Sequence, residues 1–329
     1  MKKIINEPTQ VVDQMLDGLA FTHDDLVYRV EGHDIMARKA EKTGKVGLVS
    51  GGGSGHEPSH AGFVGEGMLS AAVCGAVFTS PTPDQVLEAI KQADEGAGVF
   101  LIIKNYSGDI MNFEMAQELA EMEGIEVDSV VVDDDIAVEN SLYTQGRRGV
   151  AGTIFVHKIL GHAARAGKSL QEIKELADQL VTNIHTVGLA LSGATVPEVG
   201  KPGFVLAEDE IEFGIGIHGE PGYRKEKMQT SHELAAELVQ KLLDSFDHQE
   251  QAPFALLING MGATPLMEQY VFAKDVADLL AEKGITVTYK KLGNYMTSID
   301  MAGLSLTLFK LADPAWLEAL NSPVTTIAW

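Results

Sequence analysis

Three short stretches combine glycine with side chains able to move a proton or act as a nucleophile. Gly51–Pro58 reads GGGSGHEP, with four glycines in five positions and His56 at its end. Without Cβ atoms this backbone can take positive φ, approach a ligand closely and expose its N–H groups, the makings of a cradle for an anion or a hydroxyl. It lacks the Lys-Ser/Thr of a P-loop and does not match the GxGxxG dinucleotide pattern. A tight structural turn is the plain alternative. His56 adds an imidazole placed for proton transfer or for polarising a substrate oxygen.

Lys104–Asp109 (KNYSGD) sets a cation, an amide, a phenol, a hydroxyl and a carboxylate in one loop. Asp109 can serve as a base toward a hydroxyl, or simply cap a helix beginning near Ile110. In Gly214–Gly222 (GIGIHGEPG), His218 sits between glycines in an otherwise apolar segment. A lone histidine is commonly a hydrogen-bonded structural residue, but these glycines leave the ring approachable, as a nucleophile requires.

The other histidines offer less. His60 lies close enough to the glycine run to pack against it or orient it. His23, His33, His157, His162, His185, His232 and His248 show no metal-ligand spacing with Cys, Asp or Glu, so no zinc site is expected. The carboxylates of Asp133–Asp135 follow a strand and point to different faces, which fits a solvated turn or helix caps better than a magnesium site. Arg147 and Arg148 could meet phosphate, although pairing with nearby acidic residues is the simpler role.

The elements that must hold these residues follow from hydrophobic patterning. Lys45–Ser50, Gly98–Lys104 and Asp128–Asp133 read as strands, separated by helical patterns such as Asp84–Ala93 and Glu114–Met122. That alternation predicts a mostly parallel sheet with ligands outside its carboxyl ends, where GGGSGHEP and NYSGD lie. After a helical stretch at Ser169–Leu180, a second unit starts near Ile184, with a strand at Phe254–Ile258, a helix over Pro265–Glu282 and further strands in GITVTYKKLG and LSLTLFKL. The expected fold class is α/β, with domains at 1–183 and 184–329, each a mostly parallel or mixed sheet flanked by helices.

Composition narrows the function classes. The chain has 329 residues, 45% of them hydrophobic, enough for two domains with buried cores. With 25 Lys and Arg against 47 Asp and Glu, its formal charge of −22 repels phosphate backbones and anionic lipid surfaces. Neither nucleic acid nor membrane is therefore an expected partner. The single Cys74 cannot form an internal disulfide, and MKKIINEPTQ contains no apolar signal segment, so a cytoplasmic location is expected.

Longer motifs carry a specific likeness. SGGGSGHEP (Ser50–Pro58), FTSPTPD (Phe78–Asp84), IIKNYSGD (Ile102–Asp109) and FGIGIHGEPG (Phe213–Gly222), in this order, resemble the dihydroxyacetone kinase family. The likeness extends through DDDIAV, YTQGRRGVAGT, NGMGATPL and YMTSIDMAGLSLTL. It implies that His218 adds to the carbonyl carbon of dihydroxyacetone as a hemiaminal, that Asp109 takes the proton of a terminal hydroxyl, and that His56 is a second catalytic histidine. Gly53, Ser54, Gly55, His56, Lys104, Asp109 and His218 are the implied substrate contacts. A carbonyl-directed bond would reject glycerol, which has no carbonyl. The sequence ends at Trp329 without a nucleotide-holding segment, so the resemblance is to the bacterial form. There a partner subunit holds Mg-nucleotide (ADP/ATP) and a phosphoryl carrier fed from phosphoenolpyruvate recharges it. This chain is expected to bind no cofactor itself and to be a homodimer. A non-catalytic dihydroxyacetone sensor, acting as co-activator of a transcription regulator, is the alternative.

Overall fold

Strand-forming runs in the two halves of the chain build two separate six-stranded sheets. The computed structural model describes residues 2–246 and 252–329; His248 lies outside them. In chain order the first half contributes α1 (Val11–Thr22), β1 (Val27–Arg29), β2 (Ile35–Arg38), β3 (Gly47–Ser54), β4 (Ala71–Val77), α2 (Pro83–Ala93), β5 (Val99–Lys104), α3 (Ser107–Met122) and β6 (Val127–Val132). There follow α4 (Thr153–Arg165), α5 (Leu170–Val181), β7 (Ile184–Ala190), β8 (Glu210–Phe213), β9 (Arg224–Lys227) and α6 (Ser231–Asp244). Last come β10 (Phe254–Gly260), α7 (Leu266–Glu282), β11 (Val287–Gly293), β12 (Gly303–Lys310) and α8 (Pro314–Asn321).

The first sheet runs β1-β2-β4-β3-β5-β6, and β3 is parallel to both β4 and β5, as β5 is to β6. Strands buried on both faces need apolar side chains throughout, and all six residues of β5, VFLIIK, are buried. From β3 the chain moves to β4 on one side; from β5 it moves to β6 on the other. The carboxyl ends of β3 and β5 thus flank the point where the winding reverses, the usual crevice for a ligand in such a sheet. Gly52–His56 and Lys104–Asp109 emerge there.

The second sheet, β11-β10-β12-β7-β8-β9, is mixed, with only β10 and β11 parallel. Helix starts follow local chemistry. Ser169 and Thr230 open α5 and α6 with capping boxes completed by Glu172 and Glu233, while α2 and α8 begin with proline. Leu48 and Phe100 of the first sheet, Ile154 and Phe155 of α4, and Leu257 and Phe309 of the second belong to one continuous apolar cluster. Helix α4 is buried along nearly its whole length between the two sheets' contributions. That shared core explains why no linker composition separates the halves. Among the described residues, no helix is long and apolar enough to cross a membrane.

Two local expectations need correction. The glycine run is not a free loop: β3 continues through Gly51, Gly52 and Gly53 to Ser54, paired with β4 from Val73 to Val77. Glycine is needed for space, since a Cβ on Gly51 would sit 2.5 Å from the Val73 carbonyl oxygen. Nor does α3 wait until Ile110. It begins at Ser107, which places Asp109 inside its first turn.

Candidate active site

A cavity of about 360 Å³ opens at the switch point, lined by Gly53, Phe78, Ser80, Tyr106, Gly108, Asp109, Tyr143 and His218. Three of the residues expected from sequence are on its wall. Two more, His56 and Lys104, stand directly behind it. Ser54 and Gly55 are not on the wall, and the Ser54 hydroxyl turns away to donate to the Gly75 carbonyl at 2.7 Å.

Asp109 comes from the first turn of α3 and Lys104 from the end of β5. Both are buried, with Lys104 Nζ 3.6 Å from Asp109 Oδ2 and donating to the Gly51 carbonyl at 3.1 Å. The lysine reaches this position because Gly52 leaves room: a Cβ there would lie 2.5 Å from Nζ and 3.3 Å from Asp109 Oδ2. Gly52 also takes φ of +148°, which L side chains rarely adopt.

The two histidines come from opposite halves of the molecule. His56 follows β3, and the second half clamps it: the Thr297 N–H donates to the His56 carbonyl at 3.1 Å, and the Ile299 N–H to the Gly55 carbonyl at 2.8 Å. His56 Nδ1 lies 2.8 Å from the Thr297 carbonyl oxygen. A carbonyl only accepts, so Nδ1 carries a proton and Nε2 is the working nitrogen. Nε2 faces His218 Nε2 at 3.1 Å. Phe78 stacks on His56 with ring centroids 5.1 Å apart and meets His218 edge-on at 5.2 Å; Tyr106 closes the other side of His218 at 4.6 Å.

His218 is oriented by its own loop. Glu220, 2% exposed, accepts the His218 backbone N–H at 2.9 Å and, through Oε1, the ring Nδ1–H at 3.0 Å. With Nδ1 so engaged, Nε2 is the nitrogen presented to the cavity. Burial opposes the charge on Glu220, but the His218 hydrogen bond and charge, with Arg148 beyond, hold its carboxyl below the usual range. Burial first, then the charges of His218 and Lys104, push His56 well below the ordinary histidine value. Both ring Nδ1 atoms already donate, so a hydrogen bond between the two Nε2 atoms requires one proton beyond those of the neutral rings. A proton resting on His56 is readily given up.

The acidic run after β6 departs from expectation. Asp134 and Asp135 are 1% and 3% exposed, not solvated. Asp134 accepts the N–H groups of Val150 and Gly152 and the Thr186 hydroxyl, and burial raises its carboxyl to about 7. Asp135 pairs with the fully buried Arg148 at 2.7 Å, the ion-pair role expected for that arginine. His60 packs with His157, Nδ1 to Nε2 at 2.9 Å, behind the glycine run. No group of three or more His, Cys, Asp or Glu that could hold a metal ion occurs among the described residues.

Three contributors escaped the sequence reading: Phe78, Glu220 and Thr297. Glu220 alone left a usable local signal, an acid two positions from the exposed histidine in HGEPG.

Comparison with known proteins identifies the family. The model of the Dak1 domain matches residues 17–328. The chain belongs to the Dak1 family. It is 68% identical, over 328 residues covering all of this chain and 99% of the relative, to the protein of Lactococcus lactis subsp. lactis (strain IL1403) named PTS-dependent dihydroxyacetone kinase, dihydroxyacetone-binding subunit DhaK. It is 47% identical to the DhaKLM operon coactivator DhaQ of the same strain, across 99% of this chain and 100% of that protein. The solved dihydroxyacetone kinase of C. freundii, in complex with AMP-PNP and Mg2+, superposes with a TM-score of 0.92 at 34% identity, over all of this chain and 60% of that one.

Proposed function

We propose that the chain binds dihydroxyacetone as a hemiaminal on His218 and presents a terminal hydroxyl for phosphorylation by nucleotide held on a partner subunit, giving dihydroxyacetone phosphate. One observation carries this reading: His218 and Asp109 line the same cavity, and His218 Nε2, the ring nitrogen that Glu220 leaves free, lies 3.1 Å from His56 Nε2. The name of the L. lactis relative supports it.

The bond changes balance with the groups present. As the His218 Nε2 lone pair adds to the carbonyl carbon, the proton shared by the two rings remains on His56. The carbonyl π pair moves to oxygen, which takes that proton. The positive charge left on the alkylated His218 ring is met by Glu220, already hydrogen-bonded to Nδ1–H. Fixing the triose in this way orients its terminal hydroxyl toward Asp109. Asp109 accepts the hydroxyl proton as oxygen bonds to the terminal phosphorus and the nucleoside diphosphate leaves; Lys104 sits beside the carboxyl throughout. Gly53 lines the cavity, and Ser54 and Gly55 continue the chain behind it to His56. Mg-nucleotide on the partner supplies the phosphoryl group and the charge neutralisation its transfer requires.

The same proposal includes a phosphoryl carrier that recharges the partner, a homodimeric state and a cytoplasmic location. The name "PTS-dependent" borne by the relative matched along 99% of its length supports the subunit arrangement.

The relative named an operon coactivator favours a second reading, capture without turnover. The buried Asp109–Lys104 pair against the cavity is machinery that capture alone does not need. Native intact-mass spectra of the chain and of His218→Ala with dihydroxyacetone test the capture step. Phosphorylation on adding a nucleotide-loaded partner subunit then separates the readings. No triose-sized gain on the folded wild-type chain overturns the proposal; gain without turnover leaves the coactivator reading.

A further inference from the structure

Behind His218 lies a buried arginine that the proposed chemistry does not touch. Arg148 is fully buried in the segment leading to α4, and its Nε and Nη2 both reach Asp135 Oδ2 at 2.7 Å. Nη2 also donates to the Gly214 carbonyl at 2.6 Å, at the base of the loop that carries His218. Its third nitrogen, Nη1, has no hydrogen-bond partner among the described residues. Nη1 and the Glu220 carboxylate converge on Gly216: a Cβ there would lie 2.8 Å from Nη1 and 2.0 Å from Glu220 Oε2. A side chain at Gly216 would collide with both the cation and the carboxylate, so the position requires glycine.

One exposed cation in a molecule of net charge −22 would mean little. A fully buried cation spent on one loop carbonyl and one adjoining carboxylate is different, because its desolvation must be offset by those contacts. Removing it leaves two buried carboxylates, Asp135 and Glu220, without a common counter-charge.

Resting on the hemiaminal reading above, we propose that Arg148 is a positioning residue for His218. It anchors the loop at Gly214 and keeps Glu220 ionised, thereby fixing the tautomer in which His218 holds its proton on Nδ1 and offers Nε2 to the carbonyl. Glu220 faces His218 on its own loop, Arg148 ahead of α4, Asp135 after β6 and the Tyr106 phenol at the start of α3. Among these, Arg148 is the permanent positive charge. Without it, Glu220 keeps its proton to higher pH. A protonated Glu220 can donate to Nδ1, which moves the ring proton to Nε2 and blocks addition.

The test is the pH dependence of carbonyl capture, followed by the NMR signal of dihydroxyacetone labelled with ¹³C at its carbonyl. Wild type, Arg148→Met and Arg148→Lys are compared between about pH 4.5 and 8, with circular dichroism and melting confirming the fold. Arg148→Met is expected to bind at least roughly tenfold more weakly at the acid end of this range and to recover as pH rises, with a midpoint shifted upward by about one pH unit or more. Arg148→Lys keeps the charge but not the fork, so its midpoint stays while its affinity falls. A folded Arg148→Met with wild-type affinity and midpoint overturns the proposal. Should Arg148→Met fail to fold, Arg148→Lys decides: wild-type affinity, or a shifted midpoint, overturns it. If wild type itself shows no adduct, the hemiaminal reading has failed instead.

Discussion

His56 and His218, 162 positions apart in sequence, face each other Nε2 to Nε2 across 3.1 Å. The contact exists because Thr297 ties His56 to the second half of the molecule while Glu220 turns the other ring to meet it. Each ring has one nitrogen committed to an acceptor and one committed to its neighbour, so the roles of nucleophile and proton donor follow from which ring lines the cavity. Their loss should therefore differ in kind. His218→Ala abolishes the dihydroxyacetone adduct, whereas His56→Ala retains it at equilibrium but slows its formation by about 10²- to 10⁴-fold, the usual scale for removing a general acid. Rapid-mixing native mass spectrometry distinguishes the two; a His56→Ala chain that captures at the wild-type rate removes that ring from the mechanism.

Asp109 is expected to matter only after capture. Asp109→Asn keeps the shape beside Lys104 but cannot accept the hydroxyl proton. The adduct should persist while kcat with a nucleotide-loaded partner falls by roughly 10²-fold or more. Normal turnover would show that another group is the base.

The legible and illegible parts of this site divide by range. GGGSGHEP, KNYSGD and GIGIHGEPG each place their chemistry within a few consecutive residues, and all three converge on one cavity. What holds them together spans the chain: Thr297 reaches His56 across 241 positions, and Arg148 reaches Gly214 across 66. No local pattern encodes such contacts. Asp134 and Asp135 misled for the same reason, since consecutive carboxylates look solvated until Val150, Gly152, Thr186 and Arg148 supply their partners. The strands were readable because parallel, doubly covered strands such as VFLIIK must be continuously apolar. The early start of α3 was not, because Ser107 and Gly108 are weak helix formers that a first turn tolerates.

Gly52 offers a test of how closely the crevice is packed. In Gly52→Ala the methyl group meets the Lys104 ammonium, and the backbone at φ +148° is strained by about 1–3 kcal/mol. Lys104 must move, and Asp109 with it. Phosphorylation should drop by well over tenfold while His218, on a separate loop, still forms the adduct. Loss of adduct and turnover in equal measure would indicate general collapse of the site, which a lowered melting temperature would corroborate.

The buried His60–His157 pair makes stability depend on acid. Burial and the charge of Lys104 push His157 down to about 3, and burial, Lys104 and His157 lower His60 in the same direction. Between the ordinary value near 6.5 and the folded value, the unfolded chain takes up protons that the folded chain refuses, so stability falls as pH drops through that window. Each such ring contributes a slope of about 1.4 kcal/mol per pH unit. Asp134 acts in the opposite sense: its carboxyl is raised by burial from 3.8 to about 7, so its contribution diminishes as pH rises over that range. The difference between two chains isolates the histidine. In urea titrations from pH 7 to pH 5, His157→Gln should lose stability less steeply than wild type by about that one-proton slope, even if it starts lower at pH 7. Parallel pH profiles would mean that His157 is charged in the folded chain or exposed to water, and the packing behind the glycine strand would have to be redrawn.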